Sequence, residues 1–202
     1  MEVDEAGVFE SVRRTILEMC KDRGYQVPEV VASKEEMQKY LTEYQTVGHF
    51  MMFLDQNDKK VAVIVIKSDS QISERSIEGV ANRVIEADIY RAVLVSNRSL
   101  TSSAEKLLKK LENESKLIIE FFTTSDLMIN ITHHEMVPRH IVCTREEKEL
   151  VLKKYKAKES QLPKILVSDP VARYYGIRKG ELMKIIRTSE TAGLHVVYRI
   201  CI

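Results

Sequence analysis

His133, His134, His140 and Cys143 are residue types that bind zinc. A tetrahedral site needs ligands that converge, and this set fits no standard spacing. Adjacent His side chains point to opposite sides of a strand, so a joint carrying scattered polar rings accounts for them better. Ser189 lies in Ser189-Glu-Thr-Ala-Gly193, and His195 falls on the strand that follows. A nucleophilic Ser needs a His within hydrogen-bond reach, and nothing in the spacing places one there. A turn whose Ser, Glu and Thr bond backbone groups is the stronger reading. Metal-dependent nucleases hold a hard cation with carboxylates, one of them two positions before a strand Lys. Here Lys67 is preceded by Val65 and Ile66, and Asp55 stands alone before a hairpin turn. Phosphate-cradling loops of the G-x-x-x-x-G-K-[ST] and G-x-G-x-x-G types are absent.

One stretch suits a phosphate. Ser99-Leu-Thr-Ser-Ser103 opens a helix that carries Lys106, Lys109 and Lys110. A helix N-terminus offers unbonded N–H groups and partial positive charge. Simple capping explains the same residues and is favoured on the residues alone.

The elements that must position these groups follow from periodicity. Val8, Val12, Ile16, Met19 and Cys20 predict a helix over Ala6–Asp22, stopped by Gly24. A second helix is expected from Ser33, with Glu36 at the capping-box position. Gly48–Asp55 and Lys60–Lys67 read as a hairpin, the second strand covered on both faces. A helix over Ser73–Ala87, with Ile77, Val80, Ala81, Val84 and Ile85 inward, leads to a strand at Arg91–Val95. A helix capped by Ser102 with Glu105 leads to a strand at Leu117–Phe122. The alternation implies parallel crossovers. Residues 123–139 read as a joint. Beyond it come a short strand near His140, a helix capped by Thr144 with Glu147, and a short helix opened by Asp169-Pro170 and ended by Gly176. Two strands, Glu181–Arg187 and Leu194–Cys201, are joined by Thr188–Gly193. The fold class is α/β (α+β overall). Residues 1–130 form a mixed-sheet α/β domain, and 131–202 a small α+β domain.

The chain has 202 residues, 44% hydrophobic and 30% charged, enough for one large domain or two small ones. Its net charge of +1 hides an asymmetry. Residues 131–202 carry 14 Lys/Arg against 8 Asp/Glu, a net of +6, and residues 1–130 a net of −5. An acidic first domain does not bind nucleic acid tightly alone. Three scattered cysteines suggest a reducing setting without a disulfide framework. No apolar run reaches the length of a membrane span, and the acidic first residues are unlike a signal peptide.

The C-terminal block is dense in polar, Pro and Gly residues: Leu162-Pro-Lys-Ile165, Asp169-Pro-Val-Ala-Arg-Tyr-Tyr-Gly176, Arg178-Lys-Gly180, Lys184-Ile-Ile-Arg187, Ser189-Glu-Thr-Ala-Gly193 and Tyr198-Arg199. It reads as a surface gripped by a partner. The pattern resembles the fifth subunit shared by eukaryotic nuclear RNA polymerases I, II and III. The second domain of that family is similar to a small component of archaeal RNA polymerase that lacks the first domain. Residues 127–140 and 12–25 resemble the same family.

The resemblance implies a non-catalytic scaffold without cofactor or metal, located in the nucleus and present as one copy in a hetero-oligomer. It implies a jaw domain over 1–130 and an assembly domain over 131–202. The assembly domain would dock on the largest polymerase subunit through Pro163, Asp169, Pro170, Arg173, Tyr174, Tyr175, Arg178, Lys179, Arg187, Ser189, Glu190 and Thr191. The two tyrosines are expected to divide, at least one being buried. The jaw would lie beside downstream duplex DNA, contacted weakly within the complex, with Thr101, Ser102, Ser103 and Lys106 nearest. No membrane contact is implied. Two positions depart from the family: Ser102 and Thr188 stand where Pro is usual. The competing readings are a free-standing nuclease-like enzyme and a dissociated adaptor for transcription factors.

Overall fold

The computed structural model describes residues 5–27, 39–40, 42, 49–55, 60–189 and 193–202. The chain forms two compact units, Met1–Ile129 and Asn130–Ile202.

In the first unit, α1 (Glu5–Asp22) buries Phe9, Val12, Ile16, Met19 and Cys20 on one stripe. Val8 is only half-buried, and Phe9 takes the inward place at the start of that stripe. Gly24 follows with φ +87°, a conformation that needs glycine. Of the helix expected from Ser33, residues 39, 40 and 42 are described and helical; its cap lies outside the described residues.

The sheet runs β1 (Tyr25–Gln26), β2 (His49–Asp55), β3 (Lys60–Ile66), β4 (Arg91–Ser96) and β5 (Ile118–Thr123), in that order. The hairpin pairs β2 with β3 antiparallel, and its turn at 56–59 lies outside the described residues. The β3–β4 and β4–β5 pairs are parallel, as the helical crossovers require. Val61 to Val65 are buried without a break, so both faces of β3 are covered. Two helices share one face of the sheet, α2 (Glu74–Glu86) and α3 (Ser102–Ser115). Ile77, Val80 and Val84 of α2 and Ala104 of α3 pack with Ala62, Ile64, Ala92, Leu94 and Ile119. Each such Val or Ile side chain, fully buried, contributes about 1.5–3 kcal/mol before entropy is counted.

Two expectations in this unit need correction. Ile85 is 51% exposed, and Ile89, just past the helix, enters the core instead. The cap of α3 is Thr101, not Ser102: its Oγ1 accepts from the Ala104 N–H at 3.3 Å, and Ser102 is the first helical residue.

On β5, Glu120 is gripped from two sides. Arg23 Nη2 donates to Oε2 at 2.7 Å, and Arg91 donates from Nε and Nη2 to Oε1 at 3.1 and 3.0 Å. Short helix α4 (Thr124–Leu127) closes the unit under a capping box from Thr123 and Asp126.

In the second unit the sheet order is β6 (Arg139–Val142), β8 (Leu182–Ser189), β9 (Gly193–Cys201) and β7 (Lys164–Ile165). Helix α5 (Arg145–Tyr155) opens on the expected box: Thr144 N–H donates to Glu147 Oε2 at 2.8 Å, and Glu147 N–H to Thr144 Oγ1 at 3.2 Å. Helix α6 (Pro170–Tyr175) is capped by Asp169 and ends at Gly176, φ +61°. The core gathers Ile165, Ala172, Ile177, Met183, Ile185 and Cys201. The β8–β9 ladder runs further than the alternation suggests. Thr188 pairs with Leu194 and Ser189 with Gly193, so the strands absorb the ends of the expected turn. Residues 190–192 lie outside the described residues.

Candidate protein-docking surface

Side chains alternate between the two faces of β8 and β9, so Ile185, Arg187, Val197 and Arg199 share one face. Helix α6 begins over that face. Between them lies an open cleft of about 230 Å³. Ile165, Ile185 and Val197 give it apolar lining, with His140 beside Ile185 on the same sheet face and Pro138 and Val171 completing it. Its charged groups are Asp169, Arg187 and Arg199.

Asp169 does local work first. Its Oδ1 accepts from the N–H groups of Val171 at 2.9 Å and Ala172 at 3.3 Å, which neutralises the open end of α6. Pro170 fits the first turn because no N–H is needed there. Among the described residues neither Arg187 nor Arg199 lies within ion-pair distance of a carboxylate. His140 is half-buried, and the Pro138 carbonyl accepts from its Nδ1 at 2.6 Å. Burial pushes the ring's pKa down and the Pro138 bond and Asp169 oppose that; the net shift is downward.

The other expected partner-binding residues are spread around this unit. Pro163 is exposed, and its carbonyl accepts from the Ile200 N–H at 2.8 Å, which fixes the start of β7 on β9. Arg173 and Tyr175 are half-buried. Arg178 and Lys179 are exposed in the turn before β8, where the Arg178 N–H donates to Glu181 Oε2 at 2.8 Å. The tyrosines divide as expected, and the division removes Tyr174 from the docking residues. Tyr174 is 2% exposed, and its hydroxyl accepts from Asn130 Nδ2 at 3.0 Å, so it is core and its ring offers nothing to a partner. Tyr175 meets it edge-on, with ring centroids 5.2 Å apart. Ser189 continues β8; Glu190 and Thr191 lie outside the described residues.

Sequence reasoning misses part of the cleft. It sets His140 aside as a polar ring of the joint, and although Val171 and Arg199 lie in the block read as a gripped surface, it names neither of them, nor Val197, as a contact. The alternation along β8 and β9 is the available signal, since it places Arg199 on the face of Arg187.

In the first unit, Thr101, Ser102, Ser103 and Lys106 do gather at one end of α3. Thr101 is half-buried and its hydroxyl donates to the Ile72 carbonyl at 3.2 Å, while Ser102, Ser103 and Lys106 are exposed. Ile72 N–H donates to Ser99 O at 2.9 Å and Thr101 N–H to Ile72 O at 3.1 Å, stitching the loops before α2 and α3 together. Asn97 strengthens that seam, accepting from Ser68 N–H at 2.8 Å and donating to Ser68 O at 2.9 Å.

No group of three or more His, Cys, Asp or Glu among the described residues could hold a metal ion. His134 Nδ1 accepts from the Met136 N–H at 3.2 Å, a local turn bond. His195 stands opposite Arg187 in the ladder, not opposite Ser189. The three cysteines are free thiols. Burial pushes Cys20 up to about 12, so it packs as an apolar residue. No helix among the described residues is long and apolar enough to cross a membrane.

Residues 129–201 match the family model described as RNA polymerase Rpb5, C-terminal domain. The whole chain is similar to three curated proteins. The Dictyostelium discoideum protein named DNA-directed RNA polymerases I, II, and III subunit rpabc1 is 36% identical over 199 residues, covering 95% of each chain. The RPABC1 subunit of Caenorhabditis briggsae is 37% identical and that of Caenorhabditis elegans 35%, each covering 95% of this chain and 94% of the relative. With identities of 35–37% over 95% of its length, the chain belongs to the family of the RPABC1 (Rpb5) subunit of DNA-directed RNA polymerases I, II and III.

Proposed function

We propose that this chain is a non-catalytic scaffold subunit of nuclear DNA-directed RNA polymerase, present as one copy per complex. Its assembly domain, residues 131–202, docks on the largest subunit, and its jaw domain, residues 1–130, lies near downstream DNA. The observation that carries this reading is the full-length similarity to subunits named for polymerases I, II and III. The charge division supports it. The assembly domain, net +6, offers Arg178, Lys179, Arg187 and Arg199 at its surface, while the jaw is net −5. A like-signed lobe needs the rest of a complex to hold it beside DNA. Exposed Ser102, Ser103 and Lys106 at the opening of α3 are the jaw residues suited to meet a phosphate there.

Cross-linking mass spectrometry of the tagged chain, purified from nuclear extract with its partners, tests this reading. Cross-links from Lys164, Lys179 and Lys184 should reach the largest polymerase subunit. Recovery of the chain alone, or cross-links only to other proteins, would sink it.

A further inference from the structure

We propose that the cleft beside α6 is a socket for one carboxylate side chain of the polymerase subunit on which this unit docks, gripped by Arg187 and Arg199. The inference rests on the docking reading above and names its chemistry.

The β8–β9 register sets up the grip. Along one face of the ladder the cross-strand pairs are Met183–Arg199, Ile185–Val197 and Arg187–His195. The two guanidiniums therefore come from opposite strands and flank the Ile185–Val197 pair on a diagonal. Such a floor suits the methylenes of an Asp or Glu, and its rims suit the carboxylate. An Arg fork recognises a carboxylate through two N–H groups at once.

Among the described residues neither arginine lies within ion-pair distance of a carboxylate. Asp169 is the carboxylate that lines the cleft, and its Oδ1 is already engaged by the first N–H groups of α6. His140 adds no acidic group, and its Nδ1 is engaged with Pro138. The size agrees: about 230 Å³ is below the roughly 300–1,000 Å³ of small-molecule sites and suits a single side chain.

The test uses the full chain, tagged and expressed in cells, with polymerase recovery quantified by mass spectrometry. The variants are the pairs Arg187→Lys/Arg199→Lys, Arg187→Gln/Arg199→Gln and Arg187→Glu/Arg199→Glu. The socket predicts that charge reversal lowers recovery at least about tenfold, that neutralisation lowers it less, and that the Lys pair, which keeps the charge and loses the fork, falls between wild type and the neutral pair. Thermal melting of each isolated variant shows whether it folds, and the Lys and Gln pairs keep the comparison valid if the Glu pair does not. Equal recovery by folded wild-type and Gln or Glu variants would overturn the socket. A loss reproduced in the wild type by nuclease digestion would overturn it too, because the grip would then be on nucleic acid. Failure of the wild-type chain to recover any polymerase would instead refute the docking reading itself.

Discussion

Asn130 Nδ2 donates a hydrogen bond to the Tyr174 hydroxyl at 3.0 Å, across 44 positions of sequence and inside the core of the second unit. The same Asn accepts from Thr132 through its backbone N–H at 2.9 Å and its hydroxyl at 2.7 Å. It thus holds the turn at Ile131–His133 against α6, and α6 in turn bounds the charged cleft. Tyr174→Phe should cost about 1–2 kcal/mol, because a buried amide loses an acceptor. Asn130→Ala should cost more, since it also orphans Thr132. Denaturant unfolding, followed by a probe in residues 130–202, measures both. A neutral Asn130→Ala would show that the turn is held by other contacts.

Glu120 links β5 to Arg23 and Arg91, with side chains 18%, 3% and 28% exposed. Burial pushes its carboxyl pKa up, but the two guanidiniums outweigh that and hold it below the ordinary value of 4.5. A depressed carboxyl stabilises the fold fully above its ordinary value and loses that contribution as pH falls through the folded-state value. Glu120→Gln should therefore destabilise the first unit on the order of 3 kcal/mol at neutral pH. The gap to wild type should close below pH 4.5, and melting curves across pH give the comparison.

The regular elements were legible because strong local signals agreed with burial. The Thr144–Glu147 box and the Asp169-Pro170 opening needed only neighbours in sequence. Strand β3 announced its double burial by an unbroken apolar run. Other features depended on partners far along the chain. Tyr174 looks like a surface handle until Asn130 is found beneath it. Two-residue strands such as β1 and β7 have no period to detect. Ile85 misled because Ile89, past the end of α2, competes for the same core. Arg199 joins Arg187 only once the hairpin register is known, and so the cleft was half-seen.

The resemblance implies Pro at the position of Ser102, and the geometry there accepts that change. Ser102 is the first residue of α3, and Thr101 before it is extended, with φ −77° and ψ 156°. Ser102→Pro should leave the fold intact and stabilise it by about 0.5 kcal/mol through the unfolded chain. A clear loss in thermal melting would contradict the cap assignment to Thr101.

His140 should make the second unit sensitive to mild acid. Burial leads in lowering its pKa from the ordinary value of 6.5, with Arg199 adding to that while Pro138 and Asp169 pull the other way. A depressed His favours the folded state above its unfolded value and loses that contribution as pH falls below it. The melting temperature should thus fall between pH 7.5 and about pH 5.5, and His140→Gln should flatten that slope. An unchanged slope in the variant would assign the sensitivity elsewhere.

The stoichiometry of this chain in purified nuclear RNA polymerase tests the scaffold account most directly. Quantitative mass spectrometry of polymerase isolated through its own largest subunit should find this chain at one copy per largest subunit. Its absence from that complex, or its presence only in trace amounts, would contradict the account.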